Sequence, residues 1–381
     1  MLIFMKRYIL LVIAALMFSC SEDPVHDFTK KPKPDPYAIT EILPETESGH
    51  NKEPYVSETV ELIGLIFRLA GSPGYYNGCN VPSVAESADS YFAHMTNHKA
   101  VSLAKSYQQR GVAYDAVTGY ANQLIFYKPD KIVFATNYKE GSNTSFDRWS
   151  KTMKKEMLSA INDFYKTSHF HDWFVSTQAE QKQALAAFKS ACDIDYTWFD
   201  TFYGNNNKLA SRIILSFMIG SHNNGISLQR SDGTLLLTPV FGSLSQSGST
   251  IRFGGDTNLI IHEFSHPYCN PLIDKYWSSI SAKAKDIFQT VGEQMAEQAY
   301  GQPEIMMYET LVRSCTISYL RTHNQQEWVE PYIVHAESKG FILVRAVVEA
   351  LERFENESEK YKNLEGFMPE IIKVINNFNA Y

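Results

Sequence analysis

The sequence predicts an α+β fold, with a small, mainly antiparallel sheet packed by helices between helix-rich N-terminal and C-terminal parts. Three observations carry this. From Tyr55 to about residue 203, apolar residues recur at helical spacing. Between Arg212 and Phe253 the pattern changes to short β-rich runs separated by Gly, Asn and Ser turns. Beyond them helical periodicity returns and holds to about residue 377.

The chain has 381 residues, enough for one large domain or two. Its hydrophobic fraction of 44% and charged fraction of 20% are those of an ordinary globular protein. A net charge of −7 argues against nucleic acid as a partner, because no basic excess is left to neutralise phosphates.

Taken in order, the chain opens on a targeting segment. Lys6 and Arg7 precede the apolar stretch Tyr8 to Phe18, which is too short to span a membrane comfortably. Leu16-Met17-Phe18-Ser19-Cys20 then resembles a bacterial lipoprotein signal, which implies a signal peptide over residues 1–20 and lipid on the Cys20 sulfur. Ser21-Glu22-Asp23 looks like an acidic export signal of surface lipoproteins. The expected location is therefore the bacterial envelope, anchored to the outer membrane and facing the periplasm or the surface. Residues 21–53 contain Lys30-Lys31-Pro32-Lys33-Pro34-Asp35-Pro36 and read as a flexible tether.

Residues 54–381 form the expected folded domain, helical over about 54–205, with the sheet and site over about 206–381. Helices are expected from Tyr55 to a stop at Gly71-Ser72-Pro73-Gly74, then at about 84–110, 114–127, 146–166 and 178–203. The aromatic run Phe170-His171-Asp172-Trp173-Phe174 reads as core. Strands are expected at Arg212–Ile219, Gly225–Leu228, Leu235–Phe241 and Thr250–Phe253, and later helices at about 273–299, 303–322, 338–355 and 364–377.

Between the strands and those last helices lies His262-Glu263-Phe264-Ser265-His266, an H-E-x-x-H pattern. Asp256 or Thr257 would cap its helix, and Leu259, Ile260 and Ile261 would give it a buried side. Positions four apart share a helix face, so both imidazoles can reach one zinc ion. Glu263 is set off from that face, where it can hold a water and take its proton. Pro267 is expected to kink or end this helix, and Pro271 to close the segment.

A hydrolytic zinc site needs a third protein ligand. After the motif the candidates are Glu293, Glu297, Glu304 and Glu309, unless a third histidine serves. Glu309 is favoured because it sits in the apolar stretch Met306-Met307-Tyr308-Glu309-Thr310-Leu311-Val312-Arg313, where an unpaired carboxylate would be costly. Arg313, one turn on, could orient it. Glu297 is the runner-up. The absence of an H-E-x-x-H-x-x-G-x-x-H extension excludes the metzincin type. The oxyanion donor stays open among Tyr268, Tyr308, Tyr319 and His323. His94 and His98, also four apart, lack the intervening glutamate and are not expected to bind metal. Cys79, Cys192, Cys269 and Cys315 show no C-x-x-C; they could pair in three ways or remain buried thiols.

The order of sheet, H-E-x-x-H helix and a later glutamate helix resembles the gluzincin metallopeptidases, and hence a zincin-like fold. More closely, His262 to His266 followed by Asn270-Pro271 and Glu309-Thr310-Leu311-Val312-Arg313 resembles a bacterial lipoprotein family called domain of unknown function 4932. Val60-Glu61-Leu62-Ile63-Gly64 with Arg68-Leu69-Ala70-Gly71 also looks like its N-terminal part. By this resemblance His262, His266 and Glu309 would carry zinc and Glu263 would be the base. The expected function is hydrolysis of a peptide or protein substrate, with Leu235–Phe241 or Thr250–Phe253 pairing with the substrate backbone. The alternative is a non-catalytic surface binding lipoprotein on the same scaffold.

Overall fold

In a computed structural model the described residues are 49–379, without 51–52, 77–78, 136–137, 144–147, 205–208, 256 and 299. The expected signal peptide, Cys20, the tether as far as residue 48 and the expected cap Asp256 lie outside them.

Strands β1 (Gly49–His50) and β2 (Tyr55–Val56) lead into α1 (Glu58–Leu69). Ser57 starts this helix, its hydroxyl accepting the Val60 N–H at 3.4 Å. α1 is buried nearly all round, and both of its buried charged groups have partners. Glu61 accepts the N–H groups of Phe217 at 2.9 Å and Met218 at 3.4 Å. Arg68 grips Asp89 with two bonds of 2.8 and 2.6 Å and donates to the Tyr75 and Tyr76 carbonyls. Gly64 allows the approach, since a Cβ there would lie 2.7 Å from the Met218 backbone. The stretch Val60 to Arg68 is thus a clamp on two neighbouring segments.

Next come α2 (Pro73–Tyr76), α3 (Pro82–Tyr91), α4 (Lys99–Gln108) and α5 (Asp115–Ala121). The single helix expected over 84–110 is therefore two. A 3-10 turn at Ala93–Met95 interrupts it, and His98 restarts it by accepting the Ala100 N–H on Nδ1 at 3.1 Å. The helix expected to reach residue 127 ends at Ala121. Beyond it β3 (Leu124–Lys128) pairs antiparallel with β4 (Lys131–Phe134), where aromatic residues suit a pleated surface.

After β5 (Tyr138–Asn143) come α6 (Lys151–Thr167), α7 (Phe170–Ser176), α8 (Gln178–Ala191) and α9 (Tyr196–Phe202). The stretch 178–203 divides because Cys192 turns extended and Asp195 caps a fresh helix through the Thr197 N–H. Phe170, Trp173, Phe199 and Phe202 are buried, so the aromatic residues do form core.

The strands that follow are β6 (Leu209–Ser211), β7 (Ile214–Leu215), β8 (Asn223–Arg230), β9 (Leu235–Phe241), β10 (Leu244–Ser247) and β11 (Thr250–Phe253). β9 is central. On one side it runs parallel to β6 and β7, which continue outward into β1 and β2; on the other it pairs antiparallel with β8. β5 adds to the far end of β8, opposite Leu228 and Arg230. The α+β class holds, but the central sheet is mixed rather than mainly antiparallel. Its parallel strands are two or three residues long, too short to leave a period-two signal. Of the expected strand Arg212–Ile219 only Ile214–Leu215 pairs, because Glu61 holds Phe217 and Met218 in a turn.

The chain closes with α10 (Thr257–Glu297), α11 (Pro303–Thr322), α12 (Gln326–Ser338), α13 (Val344–Asn356), α14 (Ser358–Tyr361) and α15 (Leu364–Asn377). α10 continues through Pro267 and Pro271, contrary to the expected break. Each internal proline costs about 3 kcal/mol. Burying Ile260, Ile261, Phe264, Cys269 and Ile273 outweighs that, at roughly 1.5–3 kcal/mol for each large side chain. α12 was not expected, and the helix expected from 338 starts at Val344. α10 packs on β8, β9, α11 and α15. Among the described residues no helix is long and apolar enough to cross a membrane.

Candidate metal centre

The site forms where α10 meets α11 beneath β8. The back of the motif turn is fixed first. Phe264 is fully buried against Tyr196 and Phe199, with ring centroids 5.8 Å away in each case. Ser265 is also buried and donates to the Ile261 carbonyl at 2.7 Å. With that face anchored, His262 and His266 point the other way, their Nε2 atoms 3.2 Å apart.

Glu309 reaches them from α11. Its Oε2 lies 3.5 Å from His262 Nε2 and its Oε1 lies 3.5 Å from His266 Nε2. These separations can be tested against a metal. Two ligand atoms each about 2.0–2.1 Å from one zinc ion, at the tetrahedral angle, stand about 3.3–3.4 Å apart. The observed 3.2 and 3.5 Å match the edges of such a tetrahedron. Among the described residues these three are the group whose donor atoms converge this way.

The donors are also in the right form. Burial, with the neighbouring His266 and Arg313, holds the His262 imidazole well below its usual value and so keeps it neutral. His266 Nδ1 lies 3.3 Å from Asn270 Oδ1; a carbonyl oxygen only accepts, so Nδ1 carries the proton and the Nε2 lone pair faces the site. Arg313 Nη2 donates to Glu309 Oε2 at 3.1 Å, and its guanidinium lies 4.4 Å over the buried Phe341 ring. That contact orients Glu309 as its place one turn away suggested.

Glu263 stands apart from these three side chains. Burial pushes its carboxyl up to about 7, while His266 pulls it down and Glu309 pushes it further up. The N–H of Gly225 on β8 donates to this carboxylate. Gly225 is needed for the approach, because a Cβ there would come within 3.0 Å of Glu263 Oε2 and 3.2 Å of the Glu263 carbonyl. Sequence reasoning passed over this glycine. An isolated Gly inside a β-run is the signal that could have found it.

The other candidates fall away from the centre. Glu293 and Glu297 are exposed on α10, and Glu304 lies in the first turn of α11; none joins the group. Tyr268 stacks on Tyr203 at 4.3 Å, Tyr308 donates to Asp274, and the Tyr319 hydroxyl accepts the Asp195 N–H at 2.9 Å, with its ring stacked on His323. Tyr308, Tyr319 and His323 thus have their polar atoms engaged elsewhere, and the Tyr268 hydroxyl is buried without a partner. Tyr300, between α10 and α11, lies by the group. It hydrogen-bonds Arg313 and feels the charges of Glu309 and Glu263. Burial, then Glu309, pushes its phenol up to about 12, so it keeps its proton. No motif marks it.

His98 caps α4 and pairs with Asp163 at 3.0 Å, and His94 lies in the preceding turn. All four described cysteines are free, and the Cys269 and Cys315 sulfurs lie 3.8 Å apart. The strand expectations also change. β9 is paired on both sides and cannot accept a substrate. β11 pairs with β10, and its Ile251 N–H is taken by Gln183 of α8. The free edge beside the site belongs to β8: among the described residues nothing pairs with Asn223–Ser227 on the side away from β9.

The sequence was compared with protein families, curated proteins and solved structures. No curated protein and no solved structure matches. The model of one family, described as "Domain of unknown function (DUF4932)", matches residues 131–374, a span that contains His262, Glu263, His266 and Glu309. It covers more than half of the chain, which therefore belongs to the DUF4932 family.

Proposed function

We propose that the protein is a zinc-dependent metallopeptidase of the gluzincin type. The observation that carries this reading is Glu263. A purely structural metal site has no use for a buried carboxylate beside the ligands and outside the ligand set, whereas hydrolysis needs one.

His262, His266 and Glu309 would hold the zinc, oriented by Asn270 and Arg313. Zinc, when bound, supplies a positive charge that polarises a carbonyl and acidifies water. Glu263 holds the attacking water by its carboxylate, takes its proton and later delivers it to the leaving amine. The Tyr300 phenol, still protonated, donates toward the developing oxyanion. The open backbone of Asn223–Ser227 receives the substrate as an added strand. Pro239, opposite Gly225, has no N–H to give, and Gly225 turns its own N–H to Glu263. The edge and the base are thereby in register.

We read residues 1–53 as a lipoprotein signal and tether that hold this domain at the bacterial envelope through Cys20. The test of the activity is digestion of a broad peptide library by zinc-loaded protein, with and without a chelator. Cleavage that the chelator stops is expected; no cleavage at full zinc occupancy would overturn the reading.

A further inference from the structure

We infer that Tyr114 and His222 form a specificity subsite at the start of the β8 edge, which takes an aromatic side chain of the peptide substrate. The inference rests on the peptidase reading and adds to it the class of substrate.

Among the described residues β5 covers the β8 edge at Leu228 and Arg230 and no strand covers it at Asn223–Ser227, so an added strand would pair there. At one end it meets β5. At the other it leaves over His222, the residue before β8, which lies three positions from Gly225 and so roughly 10 Å along the strand. A peptide reacting beside Glu263 therefore carries a side chain two to four residues from the cleaved bond past His222.

What it meets there is aromatic. The Tyr114 ring stands edge-on to the His222 ring at 4.7 Å and 89°, and the buried Tyr75 backs the imidazole at 6.2 Å. The imidazole is held in place from beneath. A Cβ on Gly74 would lie 2.2 Å from His222 Nε2, so the backbone of α2 rests on the ring. The His222 carbonyl meanwhile accepts the Gly242 N–H at 2.8 Å.

Tyr114 is the telling residue. Its backbone sits at φ 53° and ψ −121°, a conformation that glycine adopts easily and a tyrosine does not. The residue is 51% exposed, so core burial does not explain the choice. The segment is nevertheless pinned. Tyr75 donates its hydroxyl to the Tyr114 carbonyl at 3.4 Å, and Arg148 donates to the Ala113 carbonyl at 2.6 Å. A strained, pinned and half-exposed aromatic beside another ring leaves a face for a third. Rings prefer such tilted contacts at 4.5–7 Å, and one contact is worth about tenfold in affinity.

The test is kcat/KM over a peptide set that differs only in the residues two to four positions from the cleaved bond. Wild type should prefer Phe or Tyr over Ala by about tenfold at one of these positions. Tyr114→Gly fits the backbone, so it should keep the fold and bring that ratio close to one. Tyr114→Leu keeps apolar bulk without the ring and should fall between. Cleavage with no aromatic preference, a preference for Lys or Arg, or a preference unchanged in Tyr114→Gly would overturn the subsite and leave the peptidase reading standing. No cleavage of any peptide at full zinc occupancy would overturn both.

Discussion

His262 Nε2 lies 3.5 Å from Glu309 Oε2, although the two residues sit on different helices. A cation bound by both would hold them at about that separation. The nearest protein cation, Arg313, reaches only the Glu309 side of the pair. We therefore predict that His262→Ala, His266→Ala and Glu309→Ala each lower zinc content, read by elemental analysis, from about one ion per chain to near zero. Glu297→Ala should leave it unchanged. Arg313→Ala should retain the ligands but weaken zinc affinity by about 10–100-fold, as loss of an orienting partner does. Full zinc in Glu309→Ala would refute the ligand set.

Cys20 bears on location. If the signal and tether act as proposed, Cys20→Ala blocks lipidation and releases the protein from the membrane fraction. Fractionation and lipid labelling check this. An unchanged membrane fraction with no lost label would remove the anchor from the proposal.

Glu61 offers a test of the scaffold by pH. Burial lifts its carboxyl from an ordinary 4.5 to about 7, against the hydrogen bonds from Ser216, Met218 and Phe217 that pull it down. The folded state thus binds this proton more tightly than the unfolded state. Its contribution to stability is full below about 4.5, and it is lost as pH rises to about 7. Glu61→Gln keeps an oxygen to accept the Phe217 N–H and carries no charge. Relative to wild type, it should gain on the order of 3 kcal/mol between those limits. Urea unfolding of both proteins across this range measures the difference; a flat difference would mean that Glu61 stays charged in the fold.

The legible and illegible parts of the molecule divide on physical grounds. The ligand pair could be read because helical spacing alone puts His262 and His266 on one face. Glu309 could be read because a carboxylate in an apolar run needs a partner. Tyr300 reaches the site only through tertiary packing, so no local pattern announced it, and Gly225 shows only as an isolated glycine in a β-run, which does not say what approaches it. Pro267 misled because its local cost was visible while the compensating burial of Phe264 and Ile273 was not. The parallel strands were missed because two residues such as Ile214–Leu215 carry no periodicity.

Glu263 separates catalysis from scaffolding. It touches no ligand atom of the triad, and its carboxylate accepts the Gly225 N–H. Glu263→Gln keeps the volume and an oxygen that can accept that N–H, so the fold, the β8 approach and the zinc content should be unchanged. What the amide cannot do is take a proton from water. General-base assistance is worth about 10²–10⁴-fold, so turnover of a library-derived peptide should fall by at least that order. A binding protein on the same scaffold would show no comparable change, because its ligand contacts would survive the substitution. Peptide affinity measured alongside turnover distinguishes the two: binding kept and turnover lost identifies a base. Equal turnover in wild type and Glu263→Gln, at equal zinc occupancy, would end the assignment of Glu263 as the group that activates water.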